Sequence, residues 1–151
     1  TSIDYKIVHN EDPISFENVL GRGATDAFFK SISNHFKHLS SIKTMQLKSF
    51  DVRADLLKSR TGTDAKVLVK TEFCNGFQCA TFSCSDYSII TACCKCILEA
   101  IEYFLNSELA FKKMKLVVED AKGRNRGDIV SKYEYKLASL VNSNIGRYED
   151  V

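Results

Sequence analysis

The sequence predicts an α+β fold made of two related units, each with antiparallel strands followed by one helix. Apolar residues at every second position, typical of half-buried strands, are followed by apolar residues at every third or fourth position, typical of helices. This order occurs twice within residues 1–105. We therefore expect two pseudo-symmetric units, over residues 1–40 and 44–105, and a helical tail over residues 106–151.

Composition narrows the class of protein. The chain has 151 residues, of which 44% are hydrophobic, and this is enough for one domain with a buried core. No apolar run approaches the ~20 residues that a membrane helix requires, and the first residues do not resemble a signal peptide. The net charge is only +2, so charge gives no reason to expect a nucleic-acid partner. A cytoplasmic protein is expected.

Unit one is predicted from two alternating segments and one helical pattern. Residues 3–8 and 14–20 alternate between apolar and polar side chains, with a turn over residues 10–13. Over residues 24–39 the spacing changes to that of one buried helical face. The residues on this face are Phe28, Ile32, Phe36 and Leu39.

Unit two is predicted as three strands and a longer helix. The strands are expected over residues 47–54, 64–73 and 77–83, and residues 75–76 (Asn-Gly) favour a type I′ hairpin turn because both tolerate positive φ. Residues 87–105 are apolar around most of the helix circumference, which is typical of a central helix. One strand carries Phe50, Val52 and Ala54 on a single face, and the next carries Ala65, Val67, Val69 and Phe73 on one side.

The tail is expected to form two helices, over residues 107–121 and 128–141, joined by the basic linker KGRNRG. The second helix carries a narrow apolar stripe at a spacing like that of coiled coils. We expect this stripe to pack on the chain's own domain; the alternative is a helix that binds a partner or a second copy. The stripe consists of Val130, Tyr133, Leu137 and either Leu140 or Val141.

Six cysteines raise the question of zinc or disulfides. Cys93 and Cys96 form a C-x-x-C motif, but the second C-x-x-C of a zinc ribbon is absent. We interpret all six as small buried apolar residues in a reducing compartment, with no metal and no cofactor. A cysteine-dependent enzyme is disfavoured, because Cys94 has no evident histidine partner in the sequence.

The segment LGRGATDAFFKSI, residues 20–32, places two glycines directly before a predicted helix. Gly21 and Gly23 permit positive φ and a close approach to the backbone. Free amides at a helix start favour an anion, and the loop lacks the lysine of a P-loop and the later glycine of a dinucleotide site. A carboxylate is therefore the expected ligand group; the alternative is a tight turn in which Asp26 only caps the helix.

Longer motifs become informative when they are taken together. GRGATDAFFKSI is similar to a G-x-G-P-x-D-A loop and helix, GTDAKVLVKTEF to a G-T-x-A-K-V-x-V strand, and SDYSIITACCKCILEAIEYFL to a closing helix. In this order, over residues 3–105, they resemble the C-terminal regulatory domain of the 2-isopropylmalate synthase and citramalate synthase family, with the citramalate synthase branch nearer in the closing helix. Ala24 stands where that family usually has proline.

The resemblance implies a function and a set of site residues. Domains of this family dimerise and bind a branched-chain amino acid, leucine or isoleucine, as a feedback inhibitor. The amides would bind the carboxylate of the amino acid, and Asp26 or Asp64 its ammonium group. Phe50 and Ala54 match pocket-lining strand positions, although each fits a plain core residue too. The ligand-site residues implied by the matching motifs are Gly21, Gly23, Ala24, Asp26, Phe50, Ala54, Asp64 and Ala65.

No catalytic role is expected for this chain. The parent family is an acetyl-CoA-dependent acyltransferase whose metal-dependent barrel uses an H-x-H pair, which His9, His35 and His38 do not form. The implied partners are the amino-acid effector, a second copy of the chain and the synthase catalytic domain, without nucleic acid or membrane. Two alternatives stay open: a ligand-free structural or oligomerisation module derived from the same fold, and a small RNA-binding domain suggested by KGRNRG.

Overall fold

The computed structural model describes residues 1–56, 64–76 and 78–141, with side chains up to residue 137. It confirms the α+β class, because a two-stranded and a three-stranded antiparallel sheet occur together with helices. Several sequence predictions lie outside the described residues: the loop over residues 57–63, Phe77, the side chains of Leu140 and Val141, and residues 142–151.

The first unit consists of strands β1 (Ser2–His9) and β2 (Asp12–Leu20) and helix α1 (Ala24–His35). His9 pairs with Asp12, and the two residues between them, Asn10 and Glu11, have φ values of 51° and 70°. These values fit a type I′ turn, so the turn is tighter than predicted and Pro13 belongs to β2. The four residues predicted to form the buried helix face are all buried: Phe28, Ile32, Phe36 and Leu39. The predicted helix end at residue 39 is wrong, because α1 ends at His35, and Phe36 and Leu39 follow the helix.

A short helix that the sequence did not predict, α2 (Ser40–Lys43), connects the two units. The second unit begins with strands β3 (Met45–Asp55), β4 (Lys66–Asn75) and β5 (Gln78–Asp86). The strands form a sheet in the order β3-β4-β5. The predicted turn at residues 75–76 is wrong by one residue, because Asn75 pairs with Gln78. Asn75 therefore ends β4, and Gly76, with a φ of 65°, begins the turn.

Helix α3 (Ile89–Gly123) runs for 35 residues, so the predicted helix end at residue 105 is wrong. No glycine or proline interrupts this part of the sequence, and the hydroxyl of Ser107 donates within the helix to the Tyr103 carbonyl at 2.7 Å. The division of the chain into a domain and a tail at residue 105 stays a prediction.

Helix α4 (Gly127–Val141) follows a short turn and packs against α3; packing of its apolar stripe on residues 1–105 stays a prediction. The left-handed position of the turn is occupied by Asn125, with a φ of 53°, and the Arg126 amide donates to the Ala121 carbonyl at 2.9 Å. Lys122 and Glu134 form an ion pair at 2.8 Å between the two helices. Val130, Tyr133 and Leu137 are half-buried.

The extension of α3 beyond residue 105 is fixed to α2 by a buried carboxylate. Glu108 is fully buried and accepts hydrogen bonds from the Ser41 amide at 2.8 Å and from Lys112 Nζ at 2.6 Å. Burial raises the pKa of Glu108, but the bonds from Lys112 and Ser41 outweigh it and leave the pKa below its ordinary value. Residues on both sides of position 105 therefore share one packed structure.

The core lies between the helices and the sheets, and β3 stands at its margin. One cluster joins α1 and α3 with Phe73, and a second packs Val69 of β4 against Cys93 and Cys96 of α3. On β3, Phe50 is 47% exposed and Ala54 is exposed. The alternative that Phe50 and Ala54 are plain core residues is therefore wrong for this chain, because α3 covers β4 and β5 rather than β3.

The cysteines divide into three groups. Cys84, Cys93 and Cys96 are buried and free, as predicted, and Cys94 is half-buried and free. The interpretation of all six as unpaired is wrong, because Cys74 and Cys79 form a disulfide. These two residues lie directly opposite each other on β4 and β5, which brings their sulfurs together.

Candidate functional site

Gly21 allows the chain to pass directly against α1. A Cβ atom at this position would lie 2.4 Å from the backbone nitrogen of Ala27. Gly21 also exchanges two hydrogen bonds with Thr1, both at 3.1 Å, so its amide is already used. The sequence suggested positive φ as the reason for this glycine, but neither Gly21 nor Gly23 has a positive φ. Close packing against α1 is instead the reason why position 21 requires glycine.

Gly23 leaves the beginning of α1 uncovered. It is the N-cap residue, in extended conformation with no side-chain cap, and nothing lies within 4 Å of the position that a Cβ would occupy. The first amides of a helix have no partner within the helix. The amides of Ala24 and Thr25 consequently point out of a half-buried helix end that carries partial positive charge.

Asp26 is engaged within its own loop. Its Oδ2 accepts a hydrogen bond from Lys30 Nζ at 2.8 Å and another from the Arg22 amide at 2.9 Å. The Lys30 bond, with the Arg22 amide next in importance, holds the pKa of Asp26 below its ordinary value. Both bonds use the same oxygen, and together they fix the loop against the first turns of α1.

A cleft of about 370 Å³, which we name the β1 cleft, opens beside this helix end. It is bordered by β1, by the first turns of α1 and by the first turns of α3. Its volume is at the lower end of the range for small-molecule sites. Representative lining residues are Tyr5, Ala24, Phe28, Ile90, Thr91 and Cys94.

The remaining predicted site residues lie on the second sheet, and none of them lines the β1 cleft. Ala54 pairs with Val67 across β3 and β4, and Asp64 and Ala65 come just before β4 begins. Phe50, Ala54, Asp64 and Ala65 therefore follow the outer part of this sheet. The structure brings Gly21, Gly23, Ala24 and Asp26 together at the beginning of α1 and places the other four apart from them.

Thr25 and Cys93 link the two groups, and the sequence did not single out either contact. Burial raises the pKa of the Cys93 thiol, and the neighbouring Thr25 side chain opposes that effect. Cys93 in turn belongs to the cluster against which Val52 and Val67 pack. Since residues 25 and 93 are far apart in the sequence, no local pattern could have revealed this connection.

The positions of the histidines and the lengths of the helices are relevant to metal binding and to membrane insertion. His9, His35 and His38 all surround the ring of Phe36. Within the part of the chain that the structure describes, no group of three or more His, Cys, Asp or Glu is placed to hold a metal ion. None of the described helices is long and apolar enough to cross a membrane.

Comparison with known proteins identifies the family. Residues 2–105, more than half of the chain, match the family model of the LeuA allosteric (dimerisation) domain. No curated protein and no solved structure matches the chain. The matched segment contains both strand-and-helix units, the glycine loop and the β1 cleft. The chain therefore belongs to the LeuA allosteric (dimerisation) domain family.

Proposed function

We propose that this chain is the allosteric domain of a 2-isopropylmalate or citramalate synthase, and that it binds leucine or isoleucine as a feedback inhibitor. The observation that carries the proposal is the open beginning of α1 at Gly23, next to the β1 cleft. A carboxylate matches the unpaired amides and the partial positive charge of this helix end. The chain would act by binding and dimerising, not by catalysis, and the cytoplasmic location stays a prediction.

The ammonium group of the effector needs an acceptor near the carboxylate site. Asp26 supplies one, because Lys30 and the Arg22 amide both bond to its Oδ2. A bound ammonium group would share this carboxylate with Lys30. The other proposed site residues are Asp64, which has interactions of its own, and the apolar residues Phe50, Ala54 and Ala65. They would act on the effector through the Thr25–Cys93 contact or from a second copy of the chain.

Thermal unfolding tests the proposal directly. Leucine or isoleucine should raise the Tm in proportion to the logarithm of its concentration above its Kd, because a ligand bound only to the folded state stabilises it by mass action. Gly23→Leu should abolish this shift, since the new side chain would cover the α1 amides while entering open space.

Gly127→Leu is the matched control, because a side chain at Gly127 also meets nothing within 4 Å and lies at the start of α4. This variant should keep the full shift. A wild-type Tm that does not respond to millimolar leucine, isoleucine or valine would contradict amino-acid binding by the chain.

The second candidate function is a dimerisation module without an effector. It is favoured by the exposure of Phe50 on β3 and by the engagement of Asp26 within its own loop. This function predicts a stable dimer in light scattering together with no Tm response to any amino acid. Removal of residues 124–151 is the suitable truncation for such a test, because a cut at residue 105 would sever α3 and remove Glu108 from Ser41.

A further inference from the structure

A second cleft lies at the opposite end of α1 from Gly23. It has a volume of about 660 Å³ and is bordered by the last turns of α1, by α2 and by the first residue of β3. We name it the α1–α2 cleft. Its size is within the range of small-molecule sites, and α1, with 12 residues, places it roughly 18 Å along the helix from the Gly23 loop.

One side of the α1–α2 cleft is positively charged. Lys37 follows α1, and Lys43 is the last residue of α2; both line the cleft and are exposed. Among the described residues, no Asp or Glu lines the cleft, and neither lysine forms an ion pair with a described carboxylate. Two ammonium groups that face a shared space without a counter-charge favour an anion.

Ser33 adds a hydroxyl that has no partner. A serine inside a helix usually donates to a carbonyl three or four residues earlier, as Ser31 does to Ala27 at 3.0 Å. Ser33 also lines the cleft, but its Oγ has no hydrogen-bond partner among the described residues and is shielded from solvent by protein atoms. A shielded hydroxyl without a partner costs free energy, and because protein atoms cover the Ser33 Oγ, the lysines rather than this hydroxyl supply the charged contacts of the cleft.

Another part of the α1–α2 cleft lining is apolar and held in place by the core. It is formed by Phe29, Ile42 and Met45. Phe29 stacks on the buried ring of Phe73 at 5.8 Å between centroids, and Ile42 and Met45 are themselves buried. An inorganic anion would leave this surface in contact with water, whereas an anion with an apolar body would cover it.

We propose that the α1–α2 cleft binds a small organic acid that lacks an amino group, with its carboxylate between Lys37 and Lys43 and its apolar part on Phe29, Ile42 and Met45. An amino acid is a poor match, because none of the described residues that line the cleft offers a carboxylate to its ammonium group. This site is separate from the proposed effector site and does not depend on it.

Phenylacetate, phenylacetamide and inorganic phosphate are suitable probes, titrated into the full-length ¹⁵N-labelled chain and followed by NMR. Phenylacetate should give saturable shifts confined to amides within residues 29–45. Phenylacetamide has the same ring without the charge, and phosphate has the charge without the ring. Each should bind at least about tenfold more weakly, because each loses one of the two contributions.

Variants locate the site. Lys37→Gln combined with Lys43→Gln should weaken phenylacetate binding by about tenfold or more, through the loss of two charge-assisted contacts. Lys113→Gln combined with Lys132→Gln changes the net charge equally at exposed positions outside the cleft and should leave binding unchanged. Ser33→Ala should not lower the Tm, because the hydroxyl has no partner to lose, and it should leave phenylacetate binding unchanged, because protein atoms cover the hydroxyl.

Several results would overturn the proposal. They are the absence of saturable shifts with phenylacetate, equal binding of phenylacetamide or phosphate, or an equal loss of binding in the control variant. If the two lysines only stabilise the partial negative charge at the C-terminal end of α1, the variant with Lys37→Gln and Lys43→Gln has a lower Tm. In that case the wild-type chain binds none of the probes. A leucine titration in parallel keeps the two proposed sites distinguishable, since either can fail alone.

Discussion

At Gly21 the chain lies so close to α1 that an added Cβ would be 2.4 Å from a backbone nitrogen, whereas at Gly23 it would meet nothing within 4 Å. The two glycines thus have different functions although they share one motif. The first sets the path of the loop, and the second keeps the helix amides accessible. A sequence can indicate that both positions matter, but it cannot distinguish them, because the difference depends on how far Ala27 approaches.

The first residue-scale prediction concerns this difference. Gly21→Ala should lower the free energy of unfolding by about 1–3 kcal/mol, since the backbone of α1 must move to accept the methyl group. Gly23→Ala should change it by less than about 0.5 kcal/mol. Chemical denaturation of the two variants measures both values, and equal stabilities would show that the loop does not pack against Ala27 in solution.

The second residue-scale prediction concerns Glu108. Its pKa in the folded protein is below the ordinary value of 4.5, so its contribution to stability is fully present above pH 4.5 and is lost as the pH falls through the folded pKa. Glu108→Gln should cost about 2 kcal/mol at pH 7, because two bonds to a buried charge are weakened.

Urea unfolding at pH 7 and at several values below 4.5 checks both parts of this prediction. The difference in stability between the wild-type chain and Glu108→Gln should shrink towards the acid end. Glu119→Gln, an exposed position on the same helix, is the control and should show no such change. A difference that stays constant with pH would contradict the depressed pKa.

At the scale of elements, the hairpin between β4 and β5 shows how one residue of register decides a covalent bond. With the turn at residues 75–76, Cys74 would oppose residue 77, and no pairing of cysteines would follow. With Asn75 opposite Gln78, Cys74 opposes Cys79. The Asn-Gly pair predicts a hairpin correctly, but the register of the neighbouring strands determines where the turn begins.

The disulfide leads to an element-scale prediction. The intact chain, unfolded without reductant, should react with a thiol reagent at four cysteines, and after reduction at six. Cys74→Ser combined with Cys79→Ser should lower stability by about 2 kcal/mol, the value expected for closing a loop of this size. Mass spectrometry of the labelled chain gives the counts, and six reactive thiols before reduction would rule out the bond.

For the helices too, local sequence patterns predict some features correctly and fail to predict others. The buried face of α1 follows directly from its apolar spacing, because that spacing is itself the cause of burial. The length of α3 does not follow from its apolar spacing, since residues 106–107 are polar but are compatible with a helix. The change there from a mostly apolar to a mixed circumference reflects which elements pack against α3, and not where the helix ends.

For the whole molecule, several apolar side chains among the described residues are exposed at one end of the larger sheet. Ala54 lies in register with Val67, and Val67 with Asp86, so the sheet end that carries Ala54 is followed directly by Tyr87 and Ile89. These two residues are 70% and 47% exposed. Only the assembled sheet reveals this surface, because strands β3 and β5 are distant in the sequence.

The family's dimerising role gives the whole-molecule prediction. In light scattering the chain should show twice the 17.0 kDa of one copy, and Phe50→Asp combined with Ile89→Asp should reduce this to a single copy, because two buried charges would face the interface. Tyr135→Asp, on α4 at 78% exposure, should leave the dimer intact. A dimer that survives the double change would place the interface elsewhere.

The uninterrupted helix α3 also has a mechanical consequence. Its 35 residues amount to a rod about 52 Å long, whose first turns border the β1 cleft and whose last turn meets α4. A tilt of roughly 5° imposed at the near end would carry the far end by about 4–5 Å. A ligand contact that leaves the fold unchanged would thus displace the hairpin of α3 and α4 by several ångströms.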